Sequence, residues 1–278
     1  MEGIDTSVPH SARIWNYWLG GKDNYPADRQ AGDEYVKTFP EIVDIARQSR
    51  YFLARAVRHL AGEVGIRQFL DIGTGLPTVN NTHEVAQGLA PDCRIVYVEN
   101  DPLVLAHARA LLTSSREGSC DYIDADLHEP EKILTAVSQL LDFTRPIGLM
   151  LLGIMGHITD DDEARSIVQR LLDALAPGSY LVLNDGASVT QARAEAQQRY
   201  NEGSSAPYKL RSPGKIAGFF DGLELLEPGV VSVSRWRPEP SPFGLPPEVE
   251  AFCGVGRKHL KAEDQCRRTK QRSGLYYR

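Results

Sequence analysis

Residues 68–78 read Gln-Phe-Leu-Asp-Ile-Gly-Thr-Gly-Leu-Pro-Thr. Phe69, Leu70 and Ile72 make a short apolar run of strand type with Asp71 inside it, and Gly73 and Gly75 break the run in a two-step glycine turn. Without a Cβ the backbone turns sharply and lets a ligand lie against main-chain N–H groups. A dinucleotide-binding loop adds a third glycine three residues later. Here that position is Thr78, preceded by Pro77, so the turn can seat an adenosine-type ligand but lacks the full pyrophosphate fingerprint. An ordinary strand-to-helix turn explains a Gly-x-Gly pair equally well, and the surrounding chain has to discriminate.

Downstream, Arg94 to Val98 is a continuous strand of the kind buried on both faces of a parallel sheet, ending in Glu99-Asn100-Asp101-Pro102. Asp101 and Pro102 suit the cap and first turn of a helix over Leu103 to Leu112. Glu99 follows Gly75 by 24 positions, the distance at which an acid on the neighbouring strand accepts from ribose hydroxyls; a plain surface acid is the competing reading. A third strand, Asp121 to Ile123, closes in Asp124-Ala125-Asp126. A carboxylate here can accept from an adenine amino group, Asp124 first and Asp126 second, with Ala125 offering an apolar edge; either acid can instead cap the turn.

Ile147 to Leu152 is a wholly apolar strand that runs into Gly153-Ile154-Met155-Gly156-His157. His157 is a candidate general base, and a histidine that merely hydrogen-bonds a loop or ligand fits as well. Asp160 to Asp162 cap a helix over Glu163 to Leu175, and Tyr180 to Leu183 is a fifth strand, ending at Asn184-Asp185-Gly186. This β-α repetition spells a doubly wound sheet with ligands at the carboxyl ends of its strands.

Ala12 to Leu19 predicts a short helix stopped by Gly20-Gly21, with Lys22 to Pro26 as a turn. Trp15, Tyr17, Trp18 and Tyr25 must pack on something, either as a cap on the sheet or as a lid over the ligand site. Glu41 to Ala61 has a helical period, and Asn80 to Leu89 reads as another helix. After Ser188 the alternation lapses into a polar helix over Ala192 to Glu202, a Gly-Ser-Ser-Ala-Pro loop over 203–207, a short helix over Ser212 to Phe220, and extended segments at Leu223 to Leu226 and Val230 to Val233. A proline-rich surface loop over Trp236 to Pro247 leads to a last strand, Glu250 to Gly256; late strands joined without a crossover helix pair antiparallel. Beyond Lys258 the chain is basic and reads as a solvated tail.

The 278 residues, 42% hydrophobic and 24% charged, suit a soluble globular protein with a substantial core. A net charge of −6 argues against non-specific nucleic-acid binding. No apolar run is long enough to span a bilayer, and the absence of a signal-like start leads us to expect a cytoplasmic protein. Cys93, Cys120, Cys253 and Cys266 are scattered and read as reduced thiols, and neither cysteines nor histidines show metal-ligand spacing.

With these residues located, the chain resembles class I S-adenosylmethionine-dependent methyltransferases, through the Phe69–Gly75 turn, Val98-Glu99, Asp124-Ala125 and Leu175 to Leu181. Leu19 to Tyr25, Gln68 to Thr78 and Pro228 to Val231 further resemble a bacterial S-adenosyl methyltransferase family long classed as a domain of unknown function. The resemblance implies a Rossmann-like, mostly parallel seven-stranded sheet with its last strand antiparallel. We expect a helical cap over 1–64, a methyltransferase domain over 65–258 and, from its basic composition, a flexible tail over 259–278. S-adenosylmethionine is the implied cofactor, bound by Asp71, Gly73, Thr74, Gly75, Glu99, Asn100, Asp124, Ala125, Asp126 and Gly153. Glu99 stands where aspartate is frequent, and Gly178-Ser179 where Gly-Gly is usual. The acceptor is expected to be a small molecule, without nucleic-acid or membrane partners, in a pocket between the N-terminal aromatic segment and residues 188–222. His157, Asp185 and Tyr25 are the candidate catalytic residues. Two rivals stand beside this reading: a nicotinamide-dependent oxidoreductase, disfavoured by Thr78, and a non-catalytic module that binds S-adenosylmethionine.

Overall fold

Runs rich in Val, Ile, Leu and Tyr supply the central strands, because β-branched and aromatic side chains fit a pleated surface covered on both sides. In the computed structural model, which describes residues 5–111, 114–204 and 206–259, these are β1 (Gln68–Ile72), β2 (Arg94–Glu99), β3 (Ser119–Asp124), β4 (Gly148–Leu152) and β5 (Tyr180–Gly186). All five are mutually parallel. Two short segments, β6 (Glu224–Leu225) and β7 (Val231–Ser232), precede β8 (Ala251–Arg257), which lies antiparallel to β5. The sheet has eight strands in the order β3-β2-β1-β4-β5-β8-β6, with β7 also paired to β8. The extra strand over the expected seven arises because β8 is long enough for β6 to pair at Gly256 and Arg257 while β7 pairs at Phe252 and Cys253.

Helices α1 (Ser11–Trp18), α2 (Pro26–Thr38) and α3 (Ile42–Arg58) precede the sheet. The connections carry α4 (Thr82–Leu89), α5 (Pro102–Leu111), α6 (Pro130–Val137) and α7 (Asp161–Ala174), and α8 (Gln191–Gly203) and α9 (Pro213–Ala217) follow β5. Strand alternation sends side chains to opposite faces. Phe69 therefore packs with Phe52, Ile95 and Met150 under α3 and α4, while Leu70 and Ile72 pack with Val96, Leu149 and Leu171 under α6 and α7. Each fully buried aliphatic side chain contributes roughly 1.5–3 kcal/mol. No helix among the described residues is long and apolar enough to cross a membrane.

Several boundaries differ from the sequence reading. Helix α3 continues past Gly62 as a π-helical turn, His59–Val64, and stops at Gly65, whose φ of 86° ends it. Helix α4 begins two residues late, where Asn81 and Glu84 form a capping box. Helix α2 was not anticipated, since its buried residues, Asp28, Gly32 and Tyr35, carry no apolar period. In the proline-rich loop Trp236 is fully buried, edge to face with Phe52 at 5.5 Å. The basic segment from residue 260, with Cys266, lies outside the described residues, as do Leu112 and Ser205.

The N-terminal segment is held by buried polar contacts. The Asp28 carboxylate is fully enclosed; it accepts from Arg13 Nε at 3.1 Å, from the His10 N–H at 2.9 Å and from the Tyr25 N–H at 2.8 Å. Asn16 is also buried and its Oδ1 accepts from the Asp23 N–H at 3.1 Å and Asn24 Nδ2 at 2.9 Å. A Cβ on Gly21 would meet the Asn16 amide at 2.3 Å, which accounts for the Gly-Gly turn after α1. Arg13→Met leaves the Asp28 charge enclosed without its partner, a loss of about 3–5 kcal/mol. The expected result is a lower melting temperature, with amide exchange accelerating in α1 and α2 more than in β1 and β4.

Candidate active site

Strand order reverses between β1 and β4, so the loops leaving these strands diverge and open a crevice at the carboxyl edge of the sheet. A cavity of about 550 Å³ fills this crevice, roofed by α1, α3 and α8. That volume suits a small-molecule site, for which roughly 300–1,000 Å³ is usual.

One half is built on β1 and β2. Gly73 has φ 74° and its N–H donates to the Val98 carbonyl at 2.9 Å; a Cβ there would sit 2.5 Å from Ile154. Gly75 has φ 63° with open space around its Cβ position, and its N–H donates to Glu99 Oε2 at 3.0 Å. Glu99 Oε1 accepts from the N–H groups of Asn100 at 2.9 Å and Asp101 at 3.3 Å. Burial raises the pKa of this carboxyl, and the three backbone donors oppose the rise. Asn100 Nδ2 donates to Asp126 at 3.2 Å, joining the ends of β2 and β3. Asp71, pushed up to about 6 by burial, accepts from the Thr82 hydroxyl at 2.6 Å. Arg50 lines the cavity beside it, donating to Asn81 Oδ1 at 2.6 Å and the Val79 carbonyl at 3.1 Å.

The other half lies beyond β4 and β5. Trp15, Trp18, Tyr35 and Tyr200 form a chain of edge-to-face rings with centroids 5.8, 5.3 and 6.1 Å apart. His157 and Tyr208 face each other edge to face at 5.1 Å. The Pro207 carbonyl, 3.2 Å from His157 Nδ1, can only accept, which puts the ring proton on Nδ1 and leaves the Nε2 lone pair free. Burial lowers the His157 pKa, while the Pro207 contact pulls the other way.

Among the expected site residues, Asp71, Gly73, Thr74, Gly75, Glu99, Asn100, Ala125, Asp126, Gly153 and His157 all line the cavity. Asp124 does not: it ends β3 exposed to solvent, and the next two residues reach the cavity instead. Asp185 is also outside the wall. Its carboxyl is fully enclosed, accepts from the Tyr208 hydroxyl and lies 3.5 Å from Arg211 Nη1; burial pushes it up to about 6. Tyr25 is not among the residues lining the cavity; it lies behind Leu76, with Arg13 above its ring at 5.4 Å and Leu103 in the same cluster. Arg50, Arg193 and Tyr208 line the cavity without having been anticipated, because each comes from a helix or loop far in sequence from the glycine turn.

A family model described as S-adenosyl methyltransferase matches residues 1–259. A DUF574 family protein from Streptomyces avermitilis is 43% identical, the match covering 92% of this chain and 100% of that one with a TM-score of 0.88. A candidate methyltransferase from Thermobifida fusca is 42% identical, covering 93% of this chain and 98% of that one with a TM-score of 0.85. An O-methyltransferase family protein from Burkholderia thailandensis, 14% identical with a TM-score of 0.52 over 83% of this chain and 63% of that one, shares the fold alone. No curated protein matches. The chain belongs to the S-adenosyl methyltransferase family. It is therefore an S-adenosylmethionine-dependent methyltransferase, and S-adenosylmethionine is its cofactor.

The residues present fit that cofactor. Side-chain-free backbone at Gly75 and Gly153 borders the cavity, Thr78 Oγ1 is buried in its wall with no hydrogen-bond partner, and Glu99 keeps unused lone pairs toward it. The lowered His157 pKa also fixes a pH dependence. An imidazole that protonates below its ordinary value makes the unfolded chain bind more protons, so its stabilising contribution holds above about pH 6.5 and is lost on acidification. A proton-resolved titration of the His157 ring should give a midpoint below that of an exposed histidine, with the neutral form protonated at Nδ1.

Proposed function

We propose that the protein methylates a small-molecule acceptor held between the aromatic segment of α1 and the 188–222 region, with His157 as general base. The observation that carries this reading is the Glu99 carboxylate, 3.0 Å from the Gly75 N–H on the cavity wall beside His157's half of the same space. Glu99 would accept from ribose hydroxyls, Ala125 and Asp126 would border the adenine, and the Gly73 to Gly75 backbone with Arg50 would hold the amino-acid end. When bound, S-adenosylmethionine supplies an electrophilic methyl on a sulfonium whose thioether leaves without needing a proton.

The chain's own residues do the remaining work. His157 Nε2 takes the proton of a hydroxyl or protonated amine acceptor, and Nδ1–H on the Pro207 carbonyl keeps the ring in that tautomer. Trp15, Trp18 and Tyr208 exclude water and orient the acceptor, which can supply about 7–11 kcal/mol of the barrier. Asp185 and Tyr25 are not assigned chemical steps, since neither reaches the cavity. We also assign the protein to the cytoplasm, a reading supported by free thiols at Cys93, Cys120 and Cys253.

Glu99→Ala should weaken S-adenosylhomocysteine binding about 10- to 100-fold by calorimetry, the worth of a charge-assisted hydrogen bond or two. Unchanged affinity would overturn the ribose assignment. With a small-metabolite extract and labelled cofactor, His157→Ala should cut methyl transfer about 100-fold or more while leaving S-adenosylhomocysteine affinity within twofold.

A further inference from the structure

Three arginines are buried among the described residues, Arg13, Arg193 and Arg211, and two of them are neutralised. Arg13 pairs with Asp28 at 3.1 Å. Arg211 lies 3.0 Å from Asp161 and 3.5 Å from Asp185, and donates to the Met155 carbonyl at 2.7 Å. Arg193 is different. It is 3% exposed and lines the cavity, yet no carboxylate among the described residues lies within ion-pair distance of it. Its hydrogen-bond acceptor is the Tyr35 hydroxyl, 2.6 Å from Nη1, and Nε is buried with no partner. Burial pushes Tyr35 up to about 12, so that phenol is neutral and leaves the guanidinium charge uncompensated.

The nearby acids are already committed. Asp185 accepts from Tyr208 through Oδ1 and lies 3.5 Å from Arg211 through Oδ2, which has no hydrogen-bond partner of its own, and Glu250 accepts from the N–H groups of Val189 and Thr190 at 3.1 and 3.0 Å. The ring faces of Tyr35 and Phe39, 5.4 and 5.1 Å from the guanidinium carbon, steady the cation but supply no acceptor. A buried unpaired charge is costly unless something completes it. The position of Arg193 says what that something is. Its Nη2 lies 3.0 Å from the Cβ position of Gly186, at the end of β5, and Tyr208 Cε1 lies 3.3 Å from the same point. His157 faces that same Tyr208 ring. Arg50, by contrast, stands beside Asp71 on β1, which is two strands or about 10 Å from β5.

Resting on the methyltransferase reading of this cavity, we infer that Arg193 is the anion-binding residue of the acceptor pocket, and that the acceptor is a small aromatic or apolar carboxylic acid. Its carboxylate pairs with the edge of the guanidinium that borders the cavity. Its body lies along the Trp18, Tyr35 and Tyr200 wall, and its nucleophile falls on the His157 side of Tyr208. A carboxylate matches both the uncompensated charge of Arg193 and the aromatic surroundings.

The test is calorimetry and thermal shift on the full chain saturated with S-adenosylhomocysteine, using 4-hydroxybenzoate and indole-3-acetate against the corresponding primary amides. The wild type should bind the acids at least tenfold more tightly than the amides. Arg193→Met should lose at least tenfold of the acid affinity with S-adenosylhomocysteine affinity within twofold, and Arg193→Lys should recover part of it. If Arg193→Met does not fold, the Lys and Gln variants carry the comparison, with Gln behaving as expected for Met. Acids binding no better than amides, acids failing to bind the saturated wild type, or variants that bind acids normally would each overturn the anion site. Variants that lose S-adenosylhomocysteine instead would transfer Arg193 to the cofactor and overturn it too. A wild type that does not bind S-adenosylhomocysteine at all would overturn the underlying cofactor reading, an outcome separable from the others.

Discussion

The Glu99 carboxylate, at the end of β2, accepts a hydrogen bond from the backbone of the loop that leaves β1, and the site is arranged around that link. It requires Gly75 to present its N–H with a positive φ, and it requires Gly73 to turn without a side chain because Ile154 occupies the space a Cβ would need. The parallel register sets Glu99 beside Asp124, so the loop after β3 delivers Ala125 and Asp126 to the same ledge. An acid with backbone donors on both oxygens is oriented before any ligand arrives, which lowers the ordering cost of binding.

The second organising constraint is the attachment of α1. A helix of eight residues is marginal on its own. Here Asp28 and Asn16 gather its flanking backbone, and His10 Nδ1 lies 2.9 Å from Asp101 just after β2. The end of β2 and the aromatic wall are thereby tied to one another. Helix α3 is part of the same device: its apolar face packs on the sheet, while Ser49 and Arg50 reach the cavity. Side chains of α3 thereby share one core with those of β1 and β2.

The two ends of the cavity also differ electrically. Around Asp185 the charges are closed, with Arg211 and Tyr208 holding a carboxyl that desolvation has made a weaker acid. Around Arg193 they are open, and aromatic rings stand where a carboxylate would be expected. In a chain of net charge −6, a buried cation left unpaired at a cavity wall is a matter of placement, not of composition.

The parallel strands, the glycine turn and the acid after β2 were legible in the sequence, because apolar runs, absent side chains and strand-end acids express themselves over a few adjacent residues. Which of Asp124 and Asp126 borders the cavity was not, since it depends on how the chain leaves β3. Neither was the placement of Asp185 and Tyr25 outside the cavity lining, which follows from contacts with Tyr208, Arg211, Arg13 and Leu103, remote residues with no local signature. Helix α2 was missed because a polar face made of Asp28 and Gly32 is buried by tertiary contacts alone. Sequence determined the sheet and the glycine-and-acid edge of the cavity through short-range pattern. Only the folded chain decided the other half of the cavity, because Arg193, His157 and the aromatic wall meet through packing between α1, α2, α8 and the ends of β4 and β5.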